Sequence, residues 1–384
     1  MVNVFVPKEI APGETRVAVT PETVKKMVAA GLAVAIEQGA GAGAHFTDAT
    51  YEDVGAGIST DRSASFADAD LILSVLSPPA SDLAQMKQSS MVVALMAPHQ
   101  NHDEIKALKE GRVSCLAMEL VPRISRAQAM DALSSQASIA GYKAVLLAAQ
   151  RLGKYFPLLM TAAGTIPPAR VVVMGAGVAG LQAVATAKRL GAVVEVSDIR
   201  DVVKEQVESL GGKFIELPDM GGGEGEGGYA REMGEEFLRR QREIVTRHVS
   251  QADVVICTAL IPGKKAPTLV TEEMVKGMKE GSIVVDLAVA QGGNCELSKD
   301  GEEVTEHGVL ILGPSNLPAE TSVDASQLYA RNIWALLDSI LDKDAEQPAP
   351  KLDFEDEVID GALLTHDGEI RHAPTREAIE GGTA

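Results

Sequence analysis

Aromatic side chains make up only 3% of the 384 residues, which argues against stacking platforms for single-stranded nucleic acid. Positive charge is short as well: 35 Lys and Arg stand against 54 Asp and Glu, a formal charge of −19. Such a chain repels phosphate backbones and anionic membranes except at local basic patches, so no nucleic-acid partner is expected. Cysteine occurs three times, at Cys115, Cys257 and Cys295, far apart and in or beside apolar runs. That spacing suits neither a metal site nor a disulfide framework. With no export signal in "MVNVFVPKEI", it points to a reducing cytoplasm. The seven histidines, His45, His99, His102, His248, His307, His366 and His372, lack metal spacing, and no metal is expected. His99, near a strand end, is the one kept as a catalytic candidate. No run of about 18–20 apolar residues occurs, so the chain is expected to be soluble, with no transmembrane segment of its own.

What is present is an α/β pattern. Apolar residues make up 46% of the chain, enough for substantial cores, and the length favours two or three domains. "VNVFVP", "LAVAIEQ", "LILSVL", "MVVALMA" and "VSCLAME" read as strands. Between them lie helices such as "PETVKKMVAAG", with Thr20 as N-cap, Pro21 in the first turn and Gly31 closing, and "NHDEIKALKEG", with Asn101 as a possible cap. A second series predicts strands over 170–174, 193–197, 213–217, 253–259, 282–288 and 308–312. Strand–helix alternation at this spacing means parallel sheets. Two long helices, "QASIAGYKAVLLAAQRLG" and "SVDASQLYARNIWALLDSILD", read as a connector and a return crossing. Asp367-Gly368 between two short extended runs signals a hairpin. The expected architecture is two Rossmann-like doubly wound domains joined by long helices. The first is discontinuous, 1–137 and 326–384 including the hairpin; the second is 138–325.

The strongest chemical signal is "VVVMGAGVAGLQAVATAKRLGAVVEVSD". Gly175 permits a tight turn after a strand, Gly177 lets the backbone approach a pyrophosphate, and Gly180 lets strand and helix pack closely. The N–H groups of Val178, Ala179 and Gly180 would face that anion at the positive helix end. Asp198 ends the next strand, where a carboxylate accepts hydrogen bonds from the adenosine ribose. A 2′-phosphate would meet that carboxylate, which favours NAD(H); Arg200 could instead pair with such a phosphate. Two other glycine clusters compete for attention. "EQGAGAGAHFTD" lacks a helical continuation and reads as a structural turn. The 221–228 glycine run is either a surface linker or a lid that orders over a bound cofactor, with Tyr229 at its base.

"PRISRAQAMDALSSQ", residues 122–136, packs Arg, Gln, Asp and Ser into one stretch without His, Cys or Lys. With "KEIAPGETRVAVTPE", "TAAGTIPPARVVVMGAGVAGLQAVATAKRLGA", "KEQVESLGGKF", "GGYAREMGEEF" and "TALIPGKKAPTLVTEEMV", it resembles the NAD(H)-binding component, domain I, of proton-translocating NAD(P) transhydrogenase. That family is related to alanine dehydrogenase. The resemblance implies that Arg123, Gln128, Asp131 and Ser134 form a nicotinamide-side loop, with Gln128 between two cofactors and Ser125 and Arg126 in the same segment. It further implies contacts from Val178–Gly180, Asp198, Ile199, Arg200, Gly228, Gln241 and Leu260, with Tyr229 on a mobile closing loop. Without the resemblance, 122–136 reads as a polar joint held by an Arg123–Asp131 ion pair.

The resemblance implies an oxidoreductase subunit, cytoplasmic and peripherally attached to the inner membrane through partner subunits. NAD(H) binds here and NADP(H) on a partner component, with membrane-embedded subunits carrying the proton path. A homodimer is implied too, gripped by the 360–373 hairpin. Hydride exchange between two nicotinamides takes up no proton at the reacting carbons, so a loop of hydrogen-bonding side chains suffices. An amino-acid dehydrogenase needs more: a base, and cations for a carboxylate. Alanine dehydrogenases supply a Lys where this chain has Leu76, a His near "ALMAPHQN" and an Asp where it has Ala290; only Arg16 persists as a substrate-binding match. An alanine dehydrogenase-like enzyme and a non-catalytic NAD(H)-sensing module are the two alternatives.

Overall fold

The computed structural model describes residues 1–216, 235–261, 264–342, 345 and 348–381. The chain forms two compact units, residues 1–136 with 319–384 and residues 137–318. In chain order the strands of the first sheet are β1 (Asn3–Val6), β2 (Ala33–Glu37), β3 (Gly57–Ser59), β4 (Leu71–Leu76), β5 (Met91–Leu95) and β6 (Ser114–Ala117). The second unit holds β7 (Leu159–Thr161), β8 (Gly164–Ile166), β9 (Arg170–Met174), β10 (Val193–Ser197), β11 (Lys213–Phe214), β12 (Val254–Cys257), β13 (Ile283–Asp286), β14 (Glu303–Glu306) and β15 (Val309–Leu312). The chain then returns to the first sheet with β16 (Leu363–His366) and β17 (Glu369–Ile370).

The first sheet runs β17-β16-β6-β5-β4-β1-β2-β3, parallel from β6 to β3 with an antiparallel pair at its edge. The second runs β11-β10-β9-β12-β13-β15-β14, parallel apart from β14. Both parallel parts follow the 3-2-1-4-5-6 order of doubly wound dinucleotide folds. Their central strands, β4 and β5 in one and β9, β12 and β13 in the other, are buried on both faces, as parallel sheets covered by helices require. Val4, Val6, Leu71 and Leu73 join one core and Phe5 and Ile72 the opposite one. Val171, Val173 and Val194 alternate in the same way with Val172 and Met174. The helix Ser322–Ile340 lays Tyr329, Ile333, Leu336 and Leu337 on the first unit's core, and the helix Val178–Arg189 lays Ala183, Val184 and Ala187 on the second's.

Local signals act as expected at several ends. Thr20 caps its helix, its N–H donating to Thr23 Oγ1 at 3.0 Å. Asn101 holds a cap position, but its side chain turns back to the Met96 carbonyl. Asp367 and Gly368 take positive φ of 46° and 82°, the pair of values a two-residue hairpin turn demands. That hairpin is not a free arm: β16 is bonded to β6 and extends the sheet. Among the described residues an exposed hairpin is β7–β8, a separate two-stranded ribbon carrying Met160 and Ile166, with Leu158 just before it. Strands predicted over 253–259 and 282–288 end at Cys257 and Asp286, because buried side chains hold the following residues in loops. The Asp286 carboxylate accepts from the N–H groups of Ala288 and Cys295 and from Ser298 Oγ, at 2.7–2.9 Å. Cys115, Cys257 and Cys295 are all free and buried.

Candidate functional site

In the second unit the strand order reverses between β9 and β12, and the glycine turn follows β9 at that point. The three glycines differ physically. Gly175 has φ 105°, and a Cβ there would lie 2.8 Å from Thr258 Oγ1. A Cβ on Gly180 would lie 1.9 Å from the Gly175 carbonyl oxygen, an impossible contact. Gly177 has ordinary φ of −75° and open space where its Cβ would be. Two glycines therefore hold the turn against the helix, and the third leaves room outside it. The first intrahelical bond is Leu181 N–H to the Gly177 carbonyl, so the N–H groups of Val178, Ala179 and Gly180 precede it. This is a cradle an anion fits, at the positive end of a 12-residue helix.

Asp198 is buried at the end of β10 and reaches back to the turn, its Oδ2 accepting the Ala176 N–H at 2.6 Å. Arg200 pairs with the same carboxylate at 2.7 Å. Ile199 between them is partly exposed. Leu260 follows β12, three residues past Cys257 and half-buried. Its neighbourhood is fixed by a residue that sequence reasoning missed. Asn294 is fully buried, accepts from Ala259 N–H at 3.0 Å and donates to the Ala259 and Pro267 carbonyls at 2.9 and 2.8 Å. An amide placed directly after "QGG" inside an apolar stretch was the available signal. Gln241 is buried on the helix Glu235–Gln251 and lines a small recess with Met174, Thr268 and Leu269. Gly228, Tyr229 and the 221–228 run lie outside the described residues.

The 122–136 stretch belongs to the first unit. Residues Ser125–Met130 form a 3₁₀ turn pinned by buried Ala127 and Met130, which leaves Arg123, Ser125, Arg126 and Gln128 exposed. Asp131 serves the backbone. Its carboxylate accepts Ser134 N–H at 2.8 Å and Ser134 Oγ at 2.5 Å, capping the helix Ala132–Arg151. Arg126 is engaged by Asp356 at 2.9 Å and lies 3.6 Å from Glu357. Behind the loop runs a buried polar chain. Glu14 grips Arg16 through Nε and Nη2, Arg16 Nη1 donates to Gln136 Oε1 at 2.9 Å, and Gln136 Nε2 donates to the Ala325 carbonyl. Ser135 bonds Asn332 Oδ1, and Asn332 in turn holds the Ala129 carbonyl at 2.8 Å.

Leu76 ends β4, Ala290 sits in a short 3₁₀ turn, and His99 is exposed in a turn after β5. Arg16 is committed to Glu14. Nearby, Glu9 accepts Val75 N–H at 2.6 Å, and burial pushes its carboxyl up to about 7. Glu14 adds to that rise, while the Val75 and Leu76 amides and Arg16 oppose it. Burial raises the Glu119 carboxyl too. The folded chain holds the Glu9 proton more tightly than the unfolded chain, so its contribution to stability is greatest below the unfolded value of 4.5 and falls as pH rises toward 7. Glu9→Gln is therefore expected to gain on the native chain between pH 5 and 8. The gain approaches about 3 kcal/mol, read from urea unfolding across that range. A gain independent of pH would contradict this.

Among the described residues no His, Cys, Asp and Glu group could hold a metal ion, and no helix is long and apolar enough to cross a membrane. Family models match in two adjoining segments: "Alanine dehydrogenase/PNT, N-terminal domain" over residues 5–140 and "Alanine dehydrogenase/PNT, C-terminal domain" over 144–373. The chain is 49% identical over 377 residues to the first part of NAD(P) transhydrogenase subunit alpha from Rhodospirillum rubrum, covering 96% of this chain and 98% of that one. Alanine dehydrogenase of Bacillus subtilis is 32% identical over 321 residues, 82% of this chain and 79% of that one. A transhydrogenase crystal structure from Sinorhizobium meliloti aligns with TM-score 0.87 and 44% identity, over 96% of this chain and 99% of that one. An L-alanine dehydrogenase structure gives 0.80 and 25%, over 99% of each. The chain belongs to the alanine dehydrogenase/PNT family, and within it groups by identity with the NAD(P) transhydrogenase alpha subunits.

Proposed function

We propose that this chain is the NAD(H)-binding subunit of a proton-translocating transhydrogenase, catalysing NADH + NADP⁺ ⇌ NAD⁺ + NADPH with NADP(H) carried by a partner component. The observation that supports it most is the division of labour in the glycine turn. Gly175 and Gly180 are fixed by contacts within the chain, whereas Gly177 faces open space beside three helix-terminal N–H groups, with a carboxylate at the end of the adjacent strand. Gly177 and Val178–Gly180 would take the pyrophosphate, Asp198 the adenosine ribose, and Ile199, Arg200, Gln241 and Leu260 the flanks of the same nucleotide.

Hydride passes between the two C4 atoms when both nucleotides are bound, and the chain's own contribution is placement. The exposed row Arg123, Ser125, Arg126 and Gln128 offers hydrogen bonds to carboxamide, ribose and phosphate groups, and Asp131 with Ser134 fixes where that row ends and the helix begins. The amino-acid dehydrogenase reading is disfavoured by Arg16, whose guanidinium is already spent on Glu14.

The test is exchange in a mixture of this chain with an NADP(H)-binding component, following reduction of an NAD analogue by NADPH. Gln128→Asn is expected to slow exchange on the order of 10²-fold, with NADH affinity retained, because the shorter side chain shifts ring placement and nothing else. NADH formation from an amino acid by the chain alone would defeat the proposal. Attachment to membrane-embedded subunits and a homodimer belong to the same proposal. The exposed β7–β8 ribbon, marginal by itself in water, is a better grip for a second copy than the 363–370 hairpin. Sedimentation at twice 40.3 kDa would support the dimer, and at 40.3 kDa would refute it.

A further inference from the structure

Every acceptor position on Asp198 is used within the chain. Oδ1 accepts the Arg200 backbone N–H and Nε–H, each at 2.9 Å. Oδ2 accepts Ala176 N–H at 2.6 Å and Arg200 Nη2 at 2.7 Å. A carboxylate offers about four lone-pair sites, so this one has none left for a ribose hydroxyl. Two of the four donors are backbone amides that cannot leave without undoing the glycine turn or the bend after β10. The other two belong to a single side chain. That side chain is also the outer member of the pair, 12% exposed against 4% for Asp198.

We propose that Arg200 is a specificity-determining residue that competes with the adenosine ribose for Asp198. Binding NAD(H) requires the guanidinium to swing off the carboxylate, so Arg200 holds NADH affinity down. The same ion pair neutralises the charge a 2′-phosphate would meet, so Arg200 also softens the rejection of NADPH. Discrimination is thereby set by an exchange of partners on one buried carboxylate rather than by the carboxylate alone. The inference rests on the NAD(H)-binding reading of the glycine turn.

Calorimetric titration of the full chain with NADH and with NADPH, at fixed salt, tests it with Arg200→Gln and Arg200→Lys. The Gln variant is expected to bind NADH about tenfold more tightly than the native chain, a difference of about 1.4 kcal/mol, and NADPH more weakly. The Lys variant should fall between, because an ammonium cannot make the forked contact. Without ligand, the Gln variant should melt below the native chain, since its buried carboxylate has lost its cation. Saturating NADH should then raise its Tm by more than it raises the native Tm. Should the Gln variant fail to fold, the Lys variant decides, and it too must bind NADH more tightly than the native chain. Unchanged or weaker NADH binding by a folded variant overturns the proposal. Native chain that binds no NADH overturns the underlying reading as well, and that result is separable because it appears before any substitution is made.

Discussion

Alanine at Gly180 is expected to cost the second unit about 3 kcal/mol or more, while alanine at Gly177 costs no more than about 1 kcal/mol and abolishes tight NADH binding. The difference follows from where each Cβ would go. At Gly180 it falls 1.9 Å from a carbonyl oxygen of the turn, and backbone on both sides must move before it fits. At Gly177 it meets nothing, and the backbone is already in an extended conformation open to any residue. Only an incoming pyrophosphate would collide with it. Thermal unfolding should show the Gly180 variant melting roughly 6–12 °C low, on the scale of a unit of this size. NADH titration should separate the two, because the Gly177 variant stays folded and fails to bind. Equal loss of stability in both would mean that Gly177 is there for packing.

Arg16→Met is expected to destabilise the first unit by about 3–5 kcal/mol, because it strands a carboxylate in the interior. The Glu14 side chain is fully buried and Arg16 is 5% exposed, so water cannot replace the missing cation. Removing both charges, with Glu14→Leu added to Arg16→Met, should recover most of the loss, as buried pairs replaced whole often are nearly neutral. The consequence reaches the 122–131 loop. Gln136 loses its Arg16 donor, and through Ser135 and Asn332 so does the anchor on the Ala129 carbonyl. Exchange by the double variant should therefore remain slow even where stability returns. A loss below about 1 kcal/mol in the single variant would show that Arg16 has another partner and remains available to a substrate carboxylate.

Much of the fold was legible because apolar runs such as "LILSVL" and "RVVVM" are buried on both faces, and continuous hydrophobicity marks a strand whatever covers it. The three-residue β3 was not, since it carries no period to read. Nor was the β7–β8 ribbon: "LMTAAGTI" has no alternation, and its residues are exposed. Strand ends were overrun where Asp286 and Asn294 bend the chain by hydrogen bonds to residues far along it, which spacing cannot reveal. At the site, the places of Gly175 and Gly180 could be read because each answers to a local constraint, whereas Gly177 meets none within the chain. The Asp198–Arg200 pairing was one of several open options for Arg200, and only side-chain placement distinguishes them. The resemblance implies a cofactor contact for Asp131, and its carboxylate also caps the helix Ala132–Arg151, a role that spacing did not single out. A cap and a contact use the same residue type, so sequence offers no means of separating them.

The proposed reaction is direct: one nicotinamide held here exchanges hydride with another on a partner, with no proton-transferring side chain involved. Its most direct test is isotopic. NADPH deuterated at the transferring C4 position is mixed with an NAD analogue, this chain and an NADP(H)-binding component. The label should appear in full on C4 of the reduced analogue, none passing to water, at a rate that varies little with pH. Deuterium released to solvent, or no transfer where L-alanine and NAD⁺ give NADH, would contradict direct exchange.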